Sequence, residues 1–195
     1  MNLWSRRYWI FDLDGTLTYA VHDFEALRES LGLAPGTPLL EAVDAAPPEE
    51  AARLRAGITA WEWALAEKAA AAPDALRLLR ALAGESRTLG VLTRNRRDIA
   101  LRTLEVAGLA QYFEPADVLG RDDAAPKPAP DGIRRILSRW RAAPADAVML
   151  GDYVFDLQAG RNAGTATVYI DRADEARWNQ WADVAVRGLD ELLPA

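Results

Sequence analysis

The sequence predicts an α/β protein: a Rossmann-like parallel sheet flanked by helices, with an all-helical segment inserted near its start. Three observations carry this. A short apolar run, Tyr8–Phe11, stops at Asp12-Leu13-Asp14-Gly15-Thr16. From Pro73 onward, strand and helix patterns alternate, as βα units of a parallel sheet require. Between the two lie ~60 residues of helical spacing alone, which reads as an inserted subdomain.

Each element has its own signal. Tyr8–Phe11 is aromatic-rich and apolar on both faces, which suits a central strand. Apolar residues at 24, 27 and 31 predict a helix, with Asp23 as N-cap and Gly32 as stop. Pro35-Gly36-Thr37-Pro38 marks a turn. Thr37 is the expected N-cap, and Pro38 the first residue of a short helix to about Val43. Pro47-Pro48-Glu49-Glu50 opens a long Ala-rich helix to about Ala71, with Leu54, Ile58, Trp61 and Leu65 on one face and Gly57 a mild weakness. No strand is expected between residues 19 and 86. Then come a helix over 74–83, a strand over 88–92, a helix over 98–107 stopped by Gly108, and a short strand over 117–119. They are followed by a helix over 130–140, a strand over 147–150, a helix over 155–163 and a strand over 166–170. The tail from Asp171 is mixed.

Composition narrows the chemistry. The 195 residues, half of them hydrophobic, suffice for one core plus a modest insertion. A net charge of −6 disfavours a nucleic-acid or anionic-membrane partner. With no cysteine and one histidine, His22, thiol catalysis and multi-histidine zinc sites are excluded. Arg6 and Arg7 precede too short an apolar run for a signal peptide, and no stretch approaches the ~20 residues of a membrane span. A soluble, cytoplasmic protein is expected, as monomer or homodimer.

The chemistry-bearing residues sit at strand ends. In an extended segment Asp12 and Asp14 share a face, while Leu13 points into the core. Two carboxylates so close repel, so they share a proton or hold a cation. Hard oxygen ligands suit Mg²⁺. Thr93 ends the second core strand, where its hydroxyl and the N–H groups of Arg94 and Asn95 can meet phosphate oxygens. Lys127, one of only two lysines, is braced between Pro126 and Pro128. Asp152 ends another apolar strand, and Asp156 follows four residues later.

Phe11-Asp12-Leu13-Asp14-Gly15-Thr16-Leu17, then Thr93, Lys127 and Asp152/Asp156, resemble the ordered signatures of the haloacid dehalogenase superfamily, in its phosphatase branch. The resemblance covers nearly the whole chain. It implies that Asp12 is nucleophile and metal ligand. Asp14 would give its carbonyl to Mg²⁺ and its side chain to proton transfer. Thr93, with Arg94 and Asn95, would orient the phosphoryl group, and Lys127 would neutralise charge. Asp152 would ligate Mg²⁺, supported by Asp156 directly or through water. Dehalogenases of the superfamily lack the second Asp, so Asp14 points to phosphoryl transfer. The resemblance also implies that residues 19–72 form a helical cap over a core of 1–18 and 73–195, hinged near Thr18–Val21 and Pro73.

The expected function is a Mg²⁺-dependent phosphatase acting on a small phosphorylated metabolite, phosphoglycolate-like or a sugar or nucleotide monophosphate. A sugar phosphomutase and a non-catalytic phosphometabolite-binding protein stay open beside it. Within the cap, Arg53, Arg55, Trp61, Trp63 and His22 are candidates for substrate contact, each with packing or solvation as the plainer role. Lys68 raises phosphonate hydrolysis, because some capped relatives use a cap lysine for a Schiff base, though its setting looks solvated.

Overall fold

The computed structural model of the chain describes residues 2–19 and 23–194. Its centre is a six-stranded sheet: β1 (Tyr8–Phe11), β2 (Thr88–Leu92), β3 (Val118–Leu119), β4 (Ala147–Gly151), β5 (Ala166–Ile170) and β6 (Val184–Val186). All pairings are parallel and the order is β3-β2-β1-β4-β5-β6. Strand order reverses beside β1, so a crevice opens between the carboxyl ends of β1 and β4, where open α/β sheets bind ligands. Register sets Phe11 beside Val91 and Leu150. The residues just after these strands, Asp12, Thr93 and Asp152, therefore leave the sheet along one edge.

The period-2 alternation of β1 divides the core into two layers. Trp9 and Phe11 pack with Leu78, Leu79 and Leu82 of α4 (Pro73–Gly84) and with Ala100 and Leu104 of α5 (Arg97–Val106). Ile10 faces the opposite layer, against Ile133, Ile136 and Leu137 of α6 (Asp131–Trp140) and Ala159 and Ala163 of α7 (Val154–Ala163). Trp9, Ile10 and Phe11 are fully buried, each worth about 1.5–3 kcal/mol by removal from water.

The stretch before α4 forms α1 (Phe24–Leu31), α2 (Leu39–Ala45) and α3 (Pro48–Ala66). Asp23 caps α1 by accepting from Ala26 N–H at 2.9 Å. These helices bury a third apolar cluster of their own: Leu27, Leu31, Val43, Ala51, Leu54 and Ile58.

Three local expectations need correction. Thr37 does not cap α2: its hydroxyl donates to Ala34 O at 2.7 Å, closing the preceding turn. Pro38, still extended at ψ 122°, is the N-cap. The long helix ends at Ala66, five residues early. Pro73 biases Ala72 toward an extended backbone, and Ala72 sits at ψ 130°. Two backbone bonds then hold this segment to the chain after β1, Tyr19 N–H to Ala70 O at 3.2 Å and Ala72 N–H to Leu17 O at 3.0 Å. These outweigh the helix preference of the alanine run. As expected, no strand lies between 19 and 86 among the described residues, although Ala71 forms an isolated antiparallel bridge with Thr18. The tail is mixed, as expected, and supplies β6, an edge strand on β5. No helix among the described residues is long and apolar enough to cross a membrane.

Candidate active site

Asp12 continues β1 by one residue, its N–H donating to Leu150 O at 2.8 Å. Leu13 turns into the core and is fully buried. The chain then reverses tightly: Leu17 and Thr18 N–H both return to Leu13 O, at 2.9 and 3.0 Å. Gly15 makes this possible at φ +82°, and a Cβ there would lie 2.2 Å from Asp152 Oδ2. The residue type that permits the turn also admits the carboxylate from β4. Arg172 braces the turn from beyond β5, donating to Gly15 O at 3.3 Å and Thr16 O at 3.2 Å. Asp74 holds that guanidinium at 2.7 and 3.2 Å while accepting from Leu189 N–H at 2.8 Å.

Lys127 is the hub. It is 4% exposed, yet its ammonium meets Asp12 Oδ1 at 2.5 Å, Asp156 Oδ1 at 2.5 Å and Leu92 O at 2.8 Å. Burial alone would lower its pKa. The two carboxylates overcome that and hold it above the usual lysine value. Asp156 is committed on both oxygens, since Oδ2 accepts from Tyr153 N–H at 3.1 Å.

Carboxylate oxygens of Asp12, Asp152 and Asp156 all lie within 4.8 Å of one another. Burial, then the charge of neighbouring carboxylates, raises the pKa of Asp152; burial likewise raises that of Asp156 against the pull of Lys127. One ammonium among three clustered carboxylates leaves excess negative charge, and the donors are hard oxygens alone. Such a set fits Mg²⁺. Asp14 was expected to offer the metal its carbonyl and keep its side chain for proton transfer, and its side chain is not in this cluster.

Asp14 instead accepts from Asn95 Nδ2 at 2.7 Å. Its pKa is pushed up to about 7 by burial and then by Asp12, with the Asn95 bond opposing. The sequence assigned Asn95 a phosphate contact through its N–H. That N–H here donates to Thr93 Oγ1 at 3.1 Å, while the side chain positions Asp14. Thr93 is buried at the end of β2. The Arg94 guanidinium turns outward to Glu41 of α2 at 2.9 Å and lies 5.1 Å from the Phe155 ring centre.

The crevice above Asp14 is roofed by α3: Asp14, Thr18, Tyr19 and Asn95 face Glu62, Leu65 and Ala66. Neither Glu62 nor its partner Arg121 was singled out from the sequence. A signal existed, because Leu54, Ile58, Glu62 and Ala66 repeat every four residues and all are buried. A carboxylate within an apolar stripe is the anomaly. The cap-segment candidates lie elsewhere. Arg53 pairs with Glu50 at 2.6 Å, Trp61 packs on Phe24 at 5.5 Å, and Arg55, Trp63 and Lys68 are exposed. None of these lines the crevice. His22, and Val21 of the expected hinge, lie outside the described residues.

Comparison with known proteins gives a consistent picture. The family model of haloacid dehalogenase-like hydrolases matches residues 28–170. Pyrophosphatase PpaX of Listeria monocytogenes is 39% identical over 90 residues, covering 46% of this chain and 41% of that protein. The match thus spans less than half the length of that curated relative. A haloacid dehalogenase-like hydrolase domain-containing protein of Arabidopsis thaliana is 30% identical over 177 residues, covering 83% of this chain and 69% of that one. Among solved structures, a hydrolase from Pseudomonas syringae superposes with a TM-score of 0.81 at 22% identity, over 96% of each chain.

Proposed function

The chain belongs to the haloacid dehalogenase-like hydrolases, and from that membership we propose a Mg²⁺-dependent phosphatase that hydrolyses a small phosphorylated metabolite in the cytoplasm. The observation that carries this reading is the division of labour between the first two aspartates. Asp12 is held beside a buried ammonium, while Asp14 lies apart on Asn95 with its pKa near 7. One carboxylate is kept for attack and the other for proton transfer.

A carboxylate oxygen of Asp12 attacks phosphorus, and the bond to the leaving oxygen breaks. Asp14 gives its proton to that oxygen. The resulting aspartyl-phosphate is hydrolysed by water, whose proton passes to Asp14, and Asp12 returns free with inorganic phosphate released. Lys127 offsets charge on nucleophile and phosphoryl group throughout, and Asp156 fixes its aim. Thr93 and the backbone N–H of Arg94 orient the phosphoryl oxygens, while the Asn95 N–H holds the Thr93 hydroxyl in place. Asp12, Asp152 and Asp156, with the Asp14 carbonyl, would hold Mg²⁺, which shields the repulsion between two anionic reactants.

Residues 19–72 act as a cap. Glu41, Glu62 and Glu67 reach core arginines Arg94, Arg121 and Arg102 at 2.9, 2.5 and 2.8 Å. The space left above Asp14 is about 10 Å³, enough for one water. Substrate enters when α1–α3 lift and reacts when they close, excluding bulk water from the first step.

The test is phosphate release from small phosphate esters and pyrophosphate with Mg²⁺, with chelator, and with Asp12→Asn. Release that needs the metal and falls at least about 10³-fold in the variant is expected. Binding of an ester without release by the wild type would refute the hydrolase reading.

A further inference from the structure

Glu62 projects from α3 into the roof of the crevice over Asp14. It is buried together with its partner, the two side chains being 7% and 13% exposed for Glu62 and Arg121. One oxygen, Oε1, accepts from Arg121 Nη1 at 2.5 Å. The other, Oε2, is buried and accepts from nothing. Buried polar atoms are almost always bonded, so a free acceptor lining a reaction crevice points to a ligand that supplies the donor.

Arg121 already has an anionic partner in Glu62. Its guanidinium is divided between Glu62 and the carbonyl of Arg94, 3.1 Å away, and its own N–H is bonded to Asn95 O at 2.9 Å. Arg94 Nη2 is held by Glu41, while its Nε is buried without a partner. The described lining holds two carboxylates, Asp14 and Glu62, and no cation. A leaving group that carried a carboxylate or a second phosphate would bring its charge against the Glu62 carboxylate in a nearly waterless space.

We propose that Glu62 sets leaving-group specificity: Oε2 accepts a hydrogen bond from a hydroxyl or ammonium group on the substrate and rejects leaving groups that end in an anion. This rests on the phosphatase reading and narrows it, away from phosphoglycolate-like and pyrophosphate substrates and toward polyol, sugar or amino-alcohol phosphates. Glu62 touches neither phosphorus nor the proton in flight, so it chooses among substrates without taking part in bond cleavage.

The experiment compares kcat/KM for wild type and Glu62→Gln, at fixed Mg²⁺, on glycerol 3-phosphate, phosphoethanolamine, phosphoglycolate and pyrophosphate. p-Nitrophenyl phosphate, with neither donor nor second anion, is the reference. In the wild type a donor ester should exceed both anionic ones by about 10²-fold or more, and the variant should lose at least about 10-fold of that preference. The reference substrate should lose less than the donor esters do, since it reports only the weakened closing contact with Arg121. The two donor arms separate the sources: loss confined to phosphoethanolamine identifies an ammonium, and loss on glycerol 3-phosphate a hydroxyl. A wild type that prefers phosphoglycolate or pyrophosphate overturns the proposal, as does an unchanged ratio in the variant. The wild-type ranking decides alone if the variant does not fold. Absence of release from every substrate, the reference included, would instead strike the phosphatase reading and take this inference with it.

Discussion

Replacing Gly151 with alanine tests whether the carboxylate cluster depends on the missing side chain. Gly151 ends β4, paired with Tyr169. A Cβ there would stand 2.3 Å from Cβ, Cγ and Oδ2 of Asp156. Carbon atoms settle near about 3.5 Å, so the two elements must part by about 1 Å. Neither yields readily. One is a strand inside a parallel sheet, and the other is a first-turn helix residue bonded to Lys127 and Tyr153 N–H. Overpacking of this kind costs about 1–3 kcal/mol. Outright loss of one partner from a buried ion pair costs about 3–5 kcal/mol, and here the pair is strained rather than deleted. Together these place the loss at about 3–4 kcal/mol, read by urea unfolding in chelator. Gly84→Ala is the control. That glycine ends α4 in the open, and a Cβ there meets nothing within 4 Å. It should gain up to about 1 kcal/mol from helix preference alone. A Gly151→Ala protein within about 0.5 kcal/mol of wild type would refute the packing argument, because surface-sized effects are all that would remain.

Two further outcomes are expected. Asp74→Ala takes the carboxylate from Arg172, which keeps only the carbonyls of Gly15 and Thr16, and leaves the N–H of Leu189 without its acceptor; it should lower stability by about 2–4 kcal/mol in urea unfolding, and a near-neutral result would show that Asp74 is not needed to hold the Arg172 brace. For pH, Asp14 moves from 3.8 to about 7 on folding, and Asp152 and Asp156 also move up. The folded state therefore holds more protons than the unfolded one between about pH 4 and 8, so metal-free stability falls as pH rises through that window. Lys127, raised above its usual value, contributes fully throughout it. Mg²⁺ competes with those protons, and its stabilising shift in Tm should be larger at pH 8 than at pH 5; an equal shift at both would contradict the assignment of these carboxylates as its ligands.

Much of this molecule is legible along the chain. Periodicity reports which residues share a face, and caps and prolines report where a local preference stops. Those signals suffice for β1, whose Tyr8–Phe11 bounds match the expectation, and for α1, with Asp23 bonded as its cap. They also place Asp12, Thr93, Lys127 and Asp152 after consecutive strands, and parallel register carries residues so placed to one edge of the sheet. Local signals fail where a distant partner decides. The alanine run after Glu67 prefers helix, yet backbone bonds to Leu17 and Tyr19 pull it straight. The Asn95 side chain carried no sequence signal at all, and Asp14, 81 positions away, takes it.

The sequence by itself determined the order of elements, the two-sided burial of the central strand and the types of residue available for chemistry, because these depend on near neighbours and on water. Only the tertiary structure decided that Lys127 stands between Asp12 and Asp156, that Asp14 is set apart from the carboxylate cluster, and that Glu62 closes the crevice on Arg121. Each depends on distance between residues remote in the chain. Charge and desolvation act over a few ångströms of space, and that distance is defined only once the sheet and the helices above it have packed.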